Sequence, residues 1–163
     1  MDALLSARRL LENTTPLKTD CGLLCDHACC KSDDDVGGEV WLLPGEEAFA
    51  CPWASIHEST MPITGRTVLS VSCASFCDRS MRPFFCRIFP LVPYFSAKRG
   101  AWDVRMDRRA WMVCPLCSYG VKGLNSEFVS AAREAVKILA EDKEMEAFLR
   151  DVSAEENAYR MSL

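Results

Sequence analysis

The sequence predicts a small α+β fold, irregular and loop-rich, with short strands and a C-terminal helix. Three observations carry this reading. The tail repeats apolar residues at three- and four-residue steps. Upstream, short apolar and β-branched runs are cut off by proline or glycine. Ten cysteines, most of them grouped, occupy the stretches between those runs.

The elements follow in chain order. Residues 1–11 read as a short amphipathic helix with Leu4, Leu5, Ala7, Leu10 and Leu11 on one side, broken by Asn13-Thr14-Thr15-Pro16. The first cysteine group comes next, then the acidic turn Ser32-Asp33-Asp34-Asp35 and the pair Gly37-Gly38. Val40-Trp41-Leu42-Leu43 is a strand candidate closed by Pro44-Gly45. Glu46 to Ala50 starts a short helix with acids at the end its dipole favours, and Cys51-Pro52-Trp53 stops it. Residues 54–66, with Pro62 and Gly65, read as irregular. Thr67 to Ser72 is a strand candidate running into Cys73, and residues 73–90 read as a loop with one helical turn.

Leu91 to Phe95 and Ala101 to Met106 flank Lys98-Arg99-Gly100 as a hairpin, with Pro93 holding its strand at an edge. Cys114-Pro115-Leu116-Cys117 is a turn. Asn125 or Ser126 N-caps a helix over about residues 126–151. Its stripe of Phe128, Ala131, Ala132, Ala135, Ile138, Leu139, Met145, Phe148 and Leu149 reads as packing on the chain's own core rather than as a partner surface.

Composition narrows the function. The chain has 163 residues, is 49% hydrophobic and 26% charged, and carries a formal charge of -4. That composition suits a folded chain, not a disordered one. No apolar run reaches the roughly 18 residues a membrane span needs. The acidic balance disfavours nucleic acid, whose phosphates call for a basic face. At the N-terminus Asp2 comes early and Arg8-Arg9 interrupts the apolar stretch, unlike a secretory signal, so a reducing cytoplasm is expected.

In that compartment cysteines stay thiols and bind metal. Cys21, Cys25, Cys29 and Cys30 form one group, Cys73, Cys77 and Cys86 a second, and Cys114 and Cys117 a third, while Cys51 stands alone. Pairs two to four residues apart reach one ion from a single turn. The spacing suits zinc or an iron–sulfur cluster and does not choose between them. Cys29 and Cys30 are neighbours, whose side chains diverge if the loop is extended. Arg79, Arg82 and Arg87 alternate with Cys77 and Cys86, and Lys31 follows Cys30. These cations would offset the negative charge of gathered thiolates.

The run Cys21-x3-Cys25-x3-Cys29-Cys30, the segment from Cys77 through Arg82-Pro83-Phe84-Phe85-Cys86-Arg87-Ile88-Phe89-Pro90, and the later Cys114-Pro115 together resemble the YkgJ-type cysteine-cluster family. Leu42-Leu43-Pro44-Gly45-Glu46-Glu47 resembles a stretch of some members. The likeness spans about residues 20–117. It implies a zinc- or iron-chelating domain, related to the cluster region of the flagellin lysine N-methylase. The family's early run usually has gaps of two, where both gaps here are three. By matching positions the resemblance implies Cys21, Cys25, Cys29, Cys30, Cys77, Cys86 and Cys114 as metal ligands. Cys73 joins them by its spacing from Cys77. Cys51 and Cys117 match nothing and read as small buried hydrophobes.

His27 is a possible substitute for one thiolate, and His57 reads as a plain loop residue. Residues 1–163 therefore read as a single cysteine-cluster metal-binding domain, its core about residues 18–120, its cysteine loops stapled by zinc or an iron–sulfur cluster. A protein partner is possible but unidentified. Two alternatives stand beside this. One is a metal-dependent enzyme of protein modification, methyltransferase-like, although no G-x-G-type cofactor loop is present. The other is an exported disulfide protein.

Overall fold

The computed structural model of the chain describes residues 2–30, 39–50, 52, 54–72 and 78–161. Helix α1 (Asp2–Leu10) buries Leu4 and Ala7, and the stripe continues to the buried Leu11 just beyond it. A single turn, α2 (Gly22–Cys25), opens the cysteine region. Strand β1 (Glu39–Trp41) is short because Pro44-Gly45 turns the chain, with Gly45 at φ 79°, where a side chain would be strained. Glu46–Phe49 then forms a 3-10 turn.

Strand β2 (Ser55–Thr60) lies in the stretch that the sequence marks as irregular. It is exposed along almost its whole length, so it has no buried face and no hydrophobic alternation to betray it. Its partner β3 (Thr67–Ser72) runs antiparallel to it, with His57 opposite Ser70 and Thr60 opposite Thr67. Strand β1 pairs with the other side of β3, which gives the order β1-β3-β2. The connection between β2 and β3 is a tight turn closed by Met61 and Arg66, with Gly65 at φ 72°.

A 3-10 turn at Arg79–Met81 and the five-residue α3 (Phe84–Ile88) precede the expected hairpin. Strands β4 (Leu91–Ser96) and β5 (Ala101–Met106) pair from Leu91↔Met106 to Ser96↔Ala101. Pro93 sits in a two-stranded sheet, where its missing N–H costs no ladder bond on a second side. The tail forms two helices rather than one. Helix α4 (Ser126–Leu139) is N-capped by Asn125, which accepts the N–H of Glu127 at 3.1 Å. Helix α5 (Lys143–Met161) starts afresh where Asp142 Oδ1 accepts the N–H groups of Glu144 and Met145.

The architecture is a small α+β fold in which α1 packs on α4, α4 on β5 and α5 on β4. The buried apolar side chains form one cluster running from Leu4 to Val152. The tail stripe faces it: Phe128, Ala132, Ala135, Leu139, Met145, Phe148 and Leu149 are all buried there. One ion pair is set into this interior. Arg8 Nη1 donates to Glu46 Oε1 at 2.7 Å, with the two side chains 7% and 1% exposed. Glu46 also accepts the N–H of Leu43 and of Phe84, while Arg8 donates to the carbonyls of Ser80 and Arg82. The pair thus ties α1, the Pro44-Gly45 turn and the segment leading to Cys86 to one another.

Candidate metal centre

Three pieces of chain carry the candidate thiols. In the first, Asp20 Oδ1 accepts the Gly22 N–H at 2.9 Å and starts α2. Cys21 and Cys25 are four apart across this turn, so both fall on one side. Asp26 at φ 50° and His27 at φ 55° end it, two successive non-glycine residues in the left-handed region. Their N–H groups both return to the Gly22 carbonyl. The reversal lays the His27 ring on Gly22 so closely that a Cβ there would overlap its Nδ1. Ala28–Cys30 then forms a 3-10 turn. In it Cys29 is exposed and Cys30 half-buried, and each thiol shifts the titration of the other. The tight turn replaces the extended loop in which they would have diverged.

The second piece is α3. Phe84 and Ile88 are four apart and fully buried, which fixes one face of the helix in the core. Cys86, midway between them, is turned to the other side. The third piece is Cys114-Pro115-Leu116-Cys117. Cys114 sits at the N-terminus of a 3-10 turn, Pro115–Tyr119. The Cys117 N–H donates to its carbonyl at 3.2 Å, and the polar groups of Leu116 and Cys117 beside its sulfur favour the thiolate. Cys117 is buried, as expected of a small hydrophobe, but its S–H also supports Cys114.

The three pieces meet around one cavity of about 50 Å³. Its walls hold Cys21, Cys25, Cys29, Cys86 and Cys114 together with Arg79, Arg82 and Arg87. Pro16, Phe89, Val113 and Leu116 supply apolar lining. Among the described residues, no three His, Cys, Asp or Glu side chains form a group that could hold one ion. The thiols ring a space rather than a point. The seven described cysteines are all free thiols.

The arginines do more than offset charge. Arg79 donates to the carbonyls of Leu11, Glu12 and Thr14, pinning the chain that enters the first cysteine run. Arg87 donates to Ser80, Arg82 and Arg8 carbonyls, and burial pulls its pKa down to about 10. Arg82 acts on the sulfurs through its charge, favouring thiolate at Cys21 and Cys30. For Cys21 burial and the nearby Asp20, Cys114 and Cys25 outweigh it and raise the pKa. Cys114 is likewise raised, by burial foremost and by the Cys25 charge. The Cys29 thiol donates to Cys30, which lowers Cys30 to about 6, with Arg82 and His27 assisting, and raises Cys29 itself. Burial pushes Cys117 up to about 12.

Of the eight thiols singled out in the sequence, Cys21, Cys25, Cys29, Cys86 and Cys114 line the cavity, while Cys30, next to Cys29 in the 3-10 turn, is not part of its lining. Cys73 and Cys77 lie outside the described residues, as do Cys51, Lys31 and the acidic turn at residues 33–35. His27 lies beside the first run, against Gly22. His57 belongs to strand β2 rather than a loop, 3.4 Å from Glu39. Two contributors escaped the sequence reading: the Cys117 thiol and the backbone carbonyls that hold the arginines. The Cys114-x2-Cys117 spacing was the available signal for the first.

Compared with known proteins, the chain matches no family model, no curated protein and no solved structure. Among the described residues no helix is long and apolar enough to cross a membrane.

Proposed function

We propose that this chain is a cytoplasmic metal-binding protein that chelates zinc or an iron–sulfur cluster through clustered cysteine thiolates. The observation that carries the reading is the convergence of five thiols, from residues 21 to 114, on one cavity with three arginines in its wall. Four thiolates around one divalent ion leave about two net negative charges, which neighbouring guanidinium groups offset. Cys21, Cys25, Cys86 and Cys114 would hold the metal from the cavity wall, with Cys29 and Cys30 beside them. Cys73 and Cys77 complete the proposed donor set. Because the described thiols ring a space, loading would draw the 21–30 segment inward, so metal binding and local folding are coupled. The resemblance to the YkgJ-type family supports the same reading. The free thiols support a reducing compartment.

Anaerobic purification followed by metal and sulfide analysis and a visible spectrum tests this. A brown protein with iron and acid-labile sulfide identifies a cluster. A colourless protein with stoichiometric zinc identifies a thiolate zinc site. A reduced, folded protein that holds neither metal overturns the proposal.

A further inference from the structure

Among the described cysteines, Cys114 and Cys117 are the pair three residues apart. Cys114 is the N-cap of the 3-10 turn Pro115–Tyr119, and the Cys117 N–H donates to the Cys114 carbonyl at 3.2 Å. One turn of 3-10 helix rises about 6 Å over three residues and sets the side chains at i and i+3 on one side. A disulfide spans about 4.4–6.8 Å between its Cα atoms. The turn therefore holds both cysteines at bridging distance without any element having to move. Cys29 and Cys30 do not meet this condition, because Cα atoms joined by a trans peptide are about 3.8 Å apart.

The two thiols differ in access. Cys114 is half-buried and lines the cavity. Cys117 is 3% exposed, belongs to the apolar cluster and is not part of the cavity lining. The exposed Met112 and Tyr119 flank the pair, so the turn stands at the surface. A thiol that a reagent can reach, beside a shielded one, has the parts of thiol–disulfide exchange: the first attacks and the second resolves.

We propose that Cys114 and Cys117 form a redox dithiol that exchanges with a small disulfide of the glutathione class, with Cys114 as nucleophile and Cys117 as resolving thiol. This goes beyond the metal-binding reading, in which Cys117 has no part. Cys114 releases its proton to solvent, its sulfur bonds one sulfur of the oxidant, and the other half leaves as a thiolate. Cys117 then releases its proton and bonds Cys114 Sγ, and the second thiolate leaves. Both thiolates take up protons. The dithiol has lost two electrons and the small disulfide has gained them.

The test uses the full chain, reduced, metal-free and anaerobic, mixed with glutathione disulfide at pH 8. Samples are quenched with N-ethylmaleimide in denaturant, digested with trypsin and weighed by mass spectrometry. Cleavage after Arg109 and Lys122 releases residues 110–122, whose cysteines are Cys114 and Cys117. The wild-type peptide is expected to lose both alkylations and to emerge two hydrogens lighter than its dithiol, before the other cysteines pair. Cys117→Ala is expected to stop at glutathione bonded to Cys114. Cys114→Ala is expected to keep Cys117 alkylated and free of glutathione. A wild-type peptide that stays doubly alkylated overturns the proposal, as does Cys114 bridged to Cys21, Cys25 or Cys86 instead. Glutathione reaching Cys117 in Cys114→Ala as fast as it reaches Cys114 in Cys117→Ala overturns the assigned roles. The wild-type pairing needs no variant, so a variant that fails to fold leaves the test intact. A Cys114–Cys117 bridge in a chain that takes up neither zinc nor a cluster supports this proposal and removes the metal-binding reading alone.

Discussion

Arg8 and Glu46 bring opposite charges into a place almost without water. Burial raises the Glu46 pKa although Arg8 and the N–H groups of Leu43 and Phe84 oppose it. Removing Arg8 alone therefore leaves a costly carboxylate. Arg8→Met is expected to destabilise the protein by about 3–5 kcal/mol, whereas replacing both partners by apolar residues is expected to cost less, the remaining loss coming from the Leu43 and Phe84 N–H groups left without an acceptor. Urea denaturation of R8M and R8M/E46L measures both, and equal losses in the two would remove the argument. Gly22 is decided by space, not charge. A methyl there meets the His27 ring. Gly22→Ala is expected to cost about 1–3 kcal/mol and to shift the His27 ring resonances in NMR, while Gly65→Ala, with nothing near its Cβ, leaves them in place. At this scale the sequence disclosed which residue types matter more readily than their contacts. Cys29 and Cys30 were visible as neighbours, but whether they converge depends on one 3-10 turn set by Asp26 and His27.

The hairpin meets α4 at one side chain of β5, Asp103. Its carboxylate accepts from Arg133 of α4 at 2.8 Å, from Arg99 in the hairpin turn and from its neighbour's N–H. Burial pushes the Asp103 pKa up, but hydrogen bonds from Arg133 and Arg99 outweigh this and hold it below the ordinary carboxylate range. The folded pKa lies below the unfolded one, near 3.9. The stabilisation is therefore present above about pH 4 and is lost as pH falls through the lowered folded value. The difference in melting temperature between wild type and Asp103→Asn should hold steady from pH 7 to 5 and shrink below about pH 4. A gap that stays constant down to pH 2 would rule this out. Elements were legible where burial marks the sequence: the α4 and α5 stripe carries the helical period, and β3 and the hairpin are apolar runs bounded by turn residues. Strand β2 was not, because an edge strand exposed on both faces has no pattern to read. The break between α4 and α5 falls where the apolar stripe lapses, a step of six residues from Leu139 to Met145 that the reading of one helix passed over. Asp142, a capping residue, was the overlooked sign.

Across the whole molecule, the cysteine cavity borders the apolar cluster, with Leu116 in both and Cys21 and Cys114 packed against the cluster, but the two draw mainly on different elements. The cluster takes its largest share from α1, the hairpin and the two C-terminal helices. The cavity is built from segments with little regular structure, residues 21–29, 79–90 and 113–116. Its assembly was foreseeable from the grouped cysteines. Its arginines were foreseeable as cations beside the second cysteine group, but their grip on carbonyls of α1 and the chain after it was not, because those partners lie far off in sequence. This division fixes what metal removal does. If a metal closes the cavity, its binding energy stabilises the thiol segments directly. The helices and hairpin keep their own buried surface. Complete chelation is therefore expected to lower the melting temperature and to raise amide exchange in residues 21–30 and 113–117. Exchange in α4 and α5 should stay slow. Exchange that rises evenly along the chain would mean that the metal holds the entire fold. An unchanged melting temperature after full removal would mean that it holds none of it.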